Sequence, residues 1–179
     1  GYPNDDEALP ELMRLATGCP GLTVHRFEPA ADELTFIRGM CVTNPARTAF
    51  DLGRRADRTE ALVRCDMLAH ATGLTARDVM PLLDRYRGAP GSVQLREVLD
   101  LMDNGAESPP ETRTRLALID AGLRRPQTQI RVRDATSYLV ARIDMGYEEF
   151  RSALSTTVTG TGLTPSVARP MWSVGSRWP

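Results

Sequence analysis

Two carboxylates and a run of arginines are the residues of this chain whose types could do chemistry. Glu111 stands in the first turn of a helix pattern and Asp144 at the end of a strand pattern. Acids brought together from two such elements can hold a divalent cation such as Mg²⁺ or Mn²⁺, which prefers hard oxygen ligands. Each acid also has a purely structural explanation. Glu111 is the N3 member of a capping box, Ser108-Pro109-Pro110-Glu111, and Asp144 could simply end its strand. Arg113 and Arg115 lie on the helix that Glu111 opens, and Arg142 lies on the strand that carries Asp144. The guanidinium matches phosphate geometry, which makes these three the candidates for contacting DNA. Arg124, Arg125, Arg131 and Arg133 lie between them in sequence, with acidic residues interspersed, as on many solvated faces. Other chemistry is missing: there is no G-x-G-x-x-G, no phosphate loop, no C-x-x-C and no H-E-x-x-H, and His25 and His70 lie far apart. No cofactor is expected from the residues as they stand.

The elements that must position these residues are punctuated by recognisable caps. Leu22–Phe27 and Met40–Thr43 are β-rich, and a polar connection containing Arg38-Gly39 lies between them. Asn44-Pro45 reads as an N-cap with proline at the first helical position, leading into a helix over 46–54. Thr59 is placed to cap the next helix, which ends at Gly73. Thr75-Ala-Arg-Asp78 resembles a capping box, and Val79, Leu82, Leu83 and Tyr86 follow at helical spacing. Ser92 opens a fourth helix, and Asn104-Gly105 stops it. A fresh unit begins at Ser108, with a helix to about Ala121 and Gly122 as its C′ residue. Thr128–Arg133 and Ser137–Asp144 then alternate as a β-hairpin around Asp134-Ala-Thr136, with Ile130 and Val132 on one side. The fold class is α+β.

Composition bounds the rest. A chain of 179 residues, 41% hydrophobic and 25% charged, fits a globular protein of one ordinary domain or two small ones. No apolar run is long enough to span a membrane, and the N-terminus lacks the basic-then-apolar pattern of a signal peptide. With Cys19, Cys41 and Cys65 far apart and odd in number, reduced thiols and a cytoplasmic location are expected. The first residue is Gly, not Met, so residues upstream are expected. The net charge of −1 gives no global field to attract nucleic acid. All 22 basic residues are arginine, the bias of a GC-rich genome. The last acidic residue is Glu149. From Ser152 onward the chain has ten Ser or Thr, three Gly and both tryptophans, and reads by composition as a flexible tail.

Five blocks in order carry a resemblance: Val42-Thr-Asn-Pro-Ala-Arg-Thr-Ala-Phe-Asp-Leu52, Asp84-Arg-Tyr-Arg-Gly88, Gly105-Ala-Glu-Ser-Pro-Pro-Glu-Thr-Arg-Thr-Arg115, Gly122-Leu-x-x-Pro-x-Thr-Gln129 and Ile143-Asp-Met-Gly146. Over roughly residues 20–151 the chain resembles actinobacterial antitoxin-like proteins of the abortive-infection type. Those join a helical region to a C-terminal domain similar to very-short-patch-repair endonucleases, of the PD-(D/E)XK fold. The resemblance implies an antitoxin-like region over 1–105 and the start of a restriction-endonuclease-like domain over 106–151, an incomplete helix plus hairpin. Residues 152–179 are then a low-complexity, disordered tail. It further implies that Glu111 is the helix acid and Asp144 the metal-binding aspartate, with Ser155 where the strand acid should stand.

The genetic code offers a reason for that gap. Read one base earlier, Ser155-Thr156 can give Tyr, Thr156-Thr157 Asp and Thr157-Val158 Gly, and Leu154-Ser155 can give Glu when the Leu154 codon ends in G. This is the acid-bearing strand that the resemblance expects, so 152–179 reads as a frameshifted tail. The expectation is a truncated, catalytically inactive protein that binds DNA or regulates a toxin–antitoxin pair, with DNA or a cognate toxin as partner and no membrane. The alternative is a metal-dependent DNA endonuclease using Mg²⁺ or Mn²⁺.

Overall fold

The computed structural model describes residues 28–134, 136–159 and 162–168. It has an α+β fold, and its contacts divide the chain into Gly1–Val42 and Thr43–Pro179. The expected division at residue 105 does not coincide with that boundary.

Around the first boundary, a 3₁₀ turn at Ala31–Glu33 leads into a two-stranded hairpin of β1 (Leu34–Ile37) and β2 (Met40–Thr43). Arg38 and Gly39 both take positive φ, as the tight turns that suit strand twist require. The partner of Met40–Thr43 is therefore β1. Leu22–Phe27 lies outside the described residues.

Five helices follow: α1 (Pro45–Arg55), α2 (Arg58–Thr72), α3 (Ala76–Arg85), α4 (Ser92–Leu101) and α5 (Pro109–Asp120). Asn44 caps α1 by accepting from the Arg47 N–H, with Pro45 at the first helical position, as the sequence indicates. The cap of α2 is Asp57 and not Thr59, because its carboxylate accepts from the N–H groups of Thr59 and Glu60. Gly73 closes α2 in the left-handed region. Thr75 and Asp78 form their capping box. Ser92 is the first residue of α4, its hydroxyl donating to the Ala89 carbonyl, and Gly91 with φ +82° is the cap. A Schellman turn closes α5, with Gly122 N–H donating to Ile119 and Leu123 N–H to Leu118.

The helices bury one core that includes Phe50, Leu62, Leu83, Leu95 and Val98. Leu116 of α5 belongs to the same core, so the helix that opens the second sequence unit is packed into the first. The remainder is a four-stranded antiparallel sheet in the order β3 (Gln127–Arg133), β4 (Leu139–Tyr147), β5 (Ser152–Thr159) and β6 (Gly162–Ala168). Ile130 opposes Ile143 and Val132 opposes Ala141, with Ile130 and Val132 both buried, as their alternation indicates.

The tail is where the expectation is corrected. Ser152–Thr159 and Gly162–Ala168 are paired strands, not disordered chain. Low-complexity counting groups Thr with Ser and Gly. Thr is β-branched, however, and Thr156-Thr157-Val158-Thr159 has the stiff side chains that favour extended backbone. Residues 169–179 lie outside the described residues.

Candidate functional site

Of the expected site residues, Glu111 stands in the first turn of α5, and Asp144 and Ser155 stand on β4 and β5. α5 packs against both strands. The β4–β5 register pairs Met145 with Leu154, which sets Asp144 beside Ser155 one step along. The Ser155 hydroxyl donates to Asp144 Oδ2 at 2.9 Å. The residue expected in place of a third acid is therefore in direct contact with the expected metal-binding aspartate.

Glu111 is nearly buried, at 8% exposure, and its two oxygens are both used locally. Oε1 accepts from the Ser108 hydroxyl at 2.7 Å and Oε2 from the Glu107 N–H at 3.0 Å. This is a variant of the capping box in which the carboxylate gathers the residues ahead of the helix. Glu107 itself holds Arg142 through both carboxylate oxygens, at 2.6 and 2.8 Å. Arg142 thus ties β4 to the segment that leads into α5. A catalytic Mg²⁺ needs several free oxygens in near-octahedral array. Here Glu111 is engaged by Ser108 and Glu107, and Asp144 by Ser155. Among the described residues, no group of three or more His, Cys, Asp or Glu is placed to hold a metal. The donor set does not fit the cation. Glu148 and Glu149 do not supply the missing ligand: they line a cleft of about 250 Å³ with Arg124, Arg125, Gln127 and Tyr147, where Glu149 pairs with Arg124 at 3.0 Å.

Of the three expected DNA contacts, Arg115 must be withdrawn. Residues two apart on a helix point about 200° from one another, so Arg113 and Arg115 cannot share a face. Arg113 is turned outward and meets Glu60 at 3.3 Å. Arg115 is fully buried and joins Asp66 of α2, with the Leu101 carbonyl as its second acceptor. Asp66 also accepts from the Asp103 N–H and the Thr112 hydroxyl. Burial pushes the Asp66 carboxyl up, while Arg115 and these hydrogen bonds pull it back. The pair lies in the core with neither side chain exposed. An aspartate in the helical stripe between Leu62 and Ala69 was the sequence sign of it.

The same network reaches the sheet. The Asp103 carboxylate accepts from the Gly105 N–H and the Thr128 hydroxyl, and the Gly105 carbonyl accepts from Gln129 Nε2 at 2.9 Å. Gln129 takes φ +53° inside β3, a rare conformation for a residue with a side chain. Nothing in the sequence announced it.

Two uncharacterized proteins of Mycobacterium tuberculosis, one from strain CDC 1551 / Oshkosh and one from strain ATCC 25618 / H37Rv, are each 31% identical to this chain over 133 residues. The matched stretch covers 74% of this chain and 48% of each relative, so the chain spans about half the length of the curated relatives it matches. No family model matches the sequence, and no solved structure matches the fold.

Proposed function

We propose that this chain is a catalytically silent relative of the antitoxin-like, nuclease-fold proteins that its motifs resemble, and that it acts by binding DNA. The observation that carries the proposal is the Ser155 hydroxyl on the Asp144 carboxylate. A helix bearing one acid, followed by a hairpin bearing another, is the arrangement the resemblance implies. At the position where it implies a third acid, this chain has a neutral side chain, already bonded to the second. Phosphodiester hydrolysis then lacks a full negative charge and a ligand, and the remaining acids are occupied by the chain's own donors. Backbone-directed DNA binding makes no such demand, because it needs only exposed cations.

The test is a paired assay on the purified chain. Supercoiled plasmid incubated with Mg²⁺ or Mn²⁺ is expected to remain intact, while a labelled duplex is expected to be bound at low salt. Cleavage that disappears in both Glu111→Ala and Asp144→Ala would establish the endonuclease reading in its place. Sequencing the gene around codon 152 tests the frameshift: a single-base change that reopens the acid-bearing frame is expected.

A further inference from the structure

The antiparallel register of β3 and β4 sets Arg131 directly opposite Arg142. Cross-strand partners hold their Cβ atoms about 5 Å apart on one face of a sheet, and like charges so placed are destabilising. The surroundings compensate only half of this pair. Arg142 is held by Glu107, whereas Arg131 is exposed and has no ion-pair or hydrogen-bond partner among the described residues. Asp144, two residues from Arg142 and so on the same side of β4, is bonded to Ser155 and makes further contacts of its own. The other charges nearby are Arg133, exposed at the end of β3 with its guanidinium on the Ser137 carbonyl, and Asp134, turned into the hairpin to accept from Thr136 and Tyr138. Among the described strands β3 is an edge strand, so Arg131 stands at the margin of the sheet with Arg142 on the strand beside it.

We infer that Arg131 and Arg142 together form a phosphate clamp for the backbone of duplex DNA, with the phosphate lying between the two guanidiniums. This rests on the DNA-binding reading above and assigns its contact surface. A phosphodiester oxygen between the two cations replaces their mutual repulsion with two charge-assisted hydrogen-bonding interactions. Arg142 is fixed in place by Glu107, while Arg131 is left free to donate to both phosphate oxygens. Charged residues on edge strands also discourage strand-to-strand aggregation. That purely structural role predicts a different result, so the two are separable.

The experiment measures binding of a fluorescent 20-base-pair duplex by anisotropy across a salt series, for the full chain and for Arg131→Gln, Arg142→Gln and Arg64→Gln. Arg64 is an exposed arginine on α2 that pairs with Glu60 and serves as the control. Loss of one phosphate contact is expected to weaken binding about tenfold at about 50 mM salt and to reduce the slope of log K against log[salt] by about one. Arg64→Gln should change neither. Arg131→Gln should at the same time raise the melting temperature, because it relieves the like-charge pair, so that stability and affinity move in opposite directions. If the wild-type chain binds and Arg131→Gln binds equally with the same slope, the clamp is wrong while the DNA-binding reading stands. Aggregation of Arg131→Gln with unchanged affinity would assign the edge-protecting role in its place. If the wild-type chain shows no binding at low salt, the DNA-binding reading fails and takes the clamp with it.

Discussion

Asp66 and Arg115 face one another with neither side chain exposed to solvent, an ion pair that joins α2 to α5. A buried pair of this kind is strongly destabilised when one partner is removed, since the other is left charged and uncompensated. Arg115→Met is expected to cost about 3–5 kcal/mol, measured by urea unfolding. Asp66→Asn added in that background should recover a measurable part, because it removes the buried charge and keeps an acceptor for the Asp103 N–H. Two separate unfolding transitions, one for the helices and one for the sheet, would show instead that the pair does not join them.

Ser108→Ala is expected to cost about 1 kcal/mol, but through a bond other than the usual cap. The hydroxyl donates to the Glu111 carboxylate and does not accept from the helix. Ser108→Asp, a good cap in other helices, should therefore be worse than alanine here, since it sets a second carboxylate against Glu111. Thermal or urea unfolding of the two variants gives the order.

Gly91→Ala should destabilise by about 2 kcal/mol or more. Its φ is +82°, and an added Cβ would run into the Arg54 carbonyl. Gly122, also left-handed, has open space around its Cβ position, so Gly122→Ala should show the backbone penalty alone, about 1 kcal/mol. Equal losses in the two variants would contradict the close approach at Gly91.

Burial, and then the nearby Asp66 charge, push the Cys65 thiol up to about 12. Peptide mapping after iodoacetamide treatment at pH 8 should find Cys65 unmodified in the folded chain and modified in urea. Because the folded value lies above the unfolded one, the neutral thiol contributes stability that is complete below about pH 8.5 and is lost as pH rises towards 12. Cys65→Ala should flatten the alkaline side of the stability curve.

On the acid side the sign reverses. Arg58 holds the Asp120 carboxyl below the usual range, and the Thr75 hydroxyl and N–H do the same for Asp78. Their contribution is complete above the ordinary aspartate value near about 3.9 and fades as pH falls through the lowered values. Urea midpoints between pH 2 and 6 should therefore fall less steeply for Asp78→Asn than for the wild-type chain.

The local order of this molecule was written in short sequence signals. Asn44-Pro45, Thr75 with Asp78, Ser108 through Glu111, and Gly73 and Gly122 after their helices each specify a terminus through contacts within a few residues, so they need no tertiary information. The placing of Ile130 and Val132 on one side of their strand followed from alternation, which is also local. What the tertiary structure decided is which of the charged residues face water. Arg113 and Arg115 look alike in sequence, but only packing of α5 against α2 sends one to Glu60 and the other into the core with Asp66. The strands after Ser152 depend on pairing across the sheet, and a Ser/Thr-rich stretch carries no hydrophobic alternation to announce that pairing. The contact of Ser155 with Asp144 and the opposition of Arg131 to Arg142 are likewise matters of register, which exists only between strands and not within one.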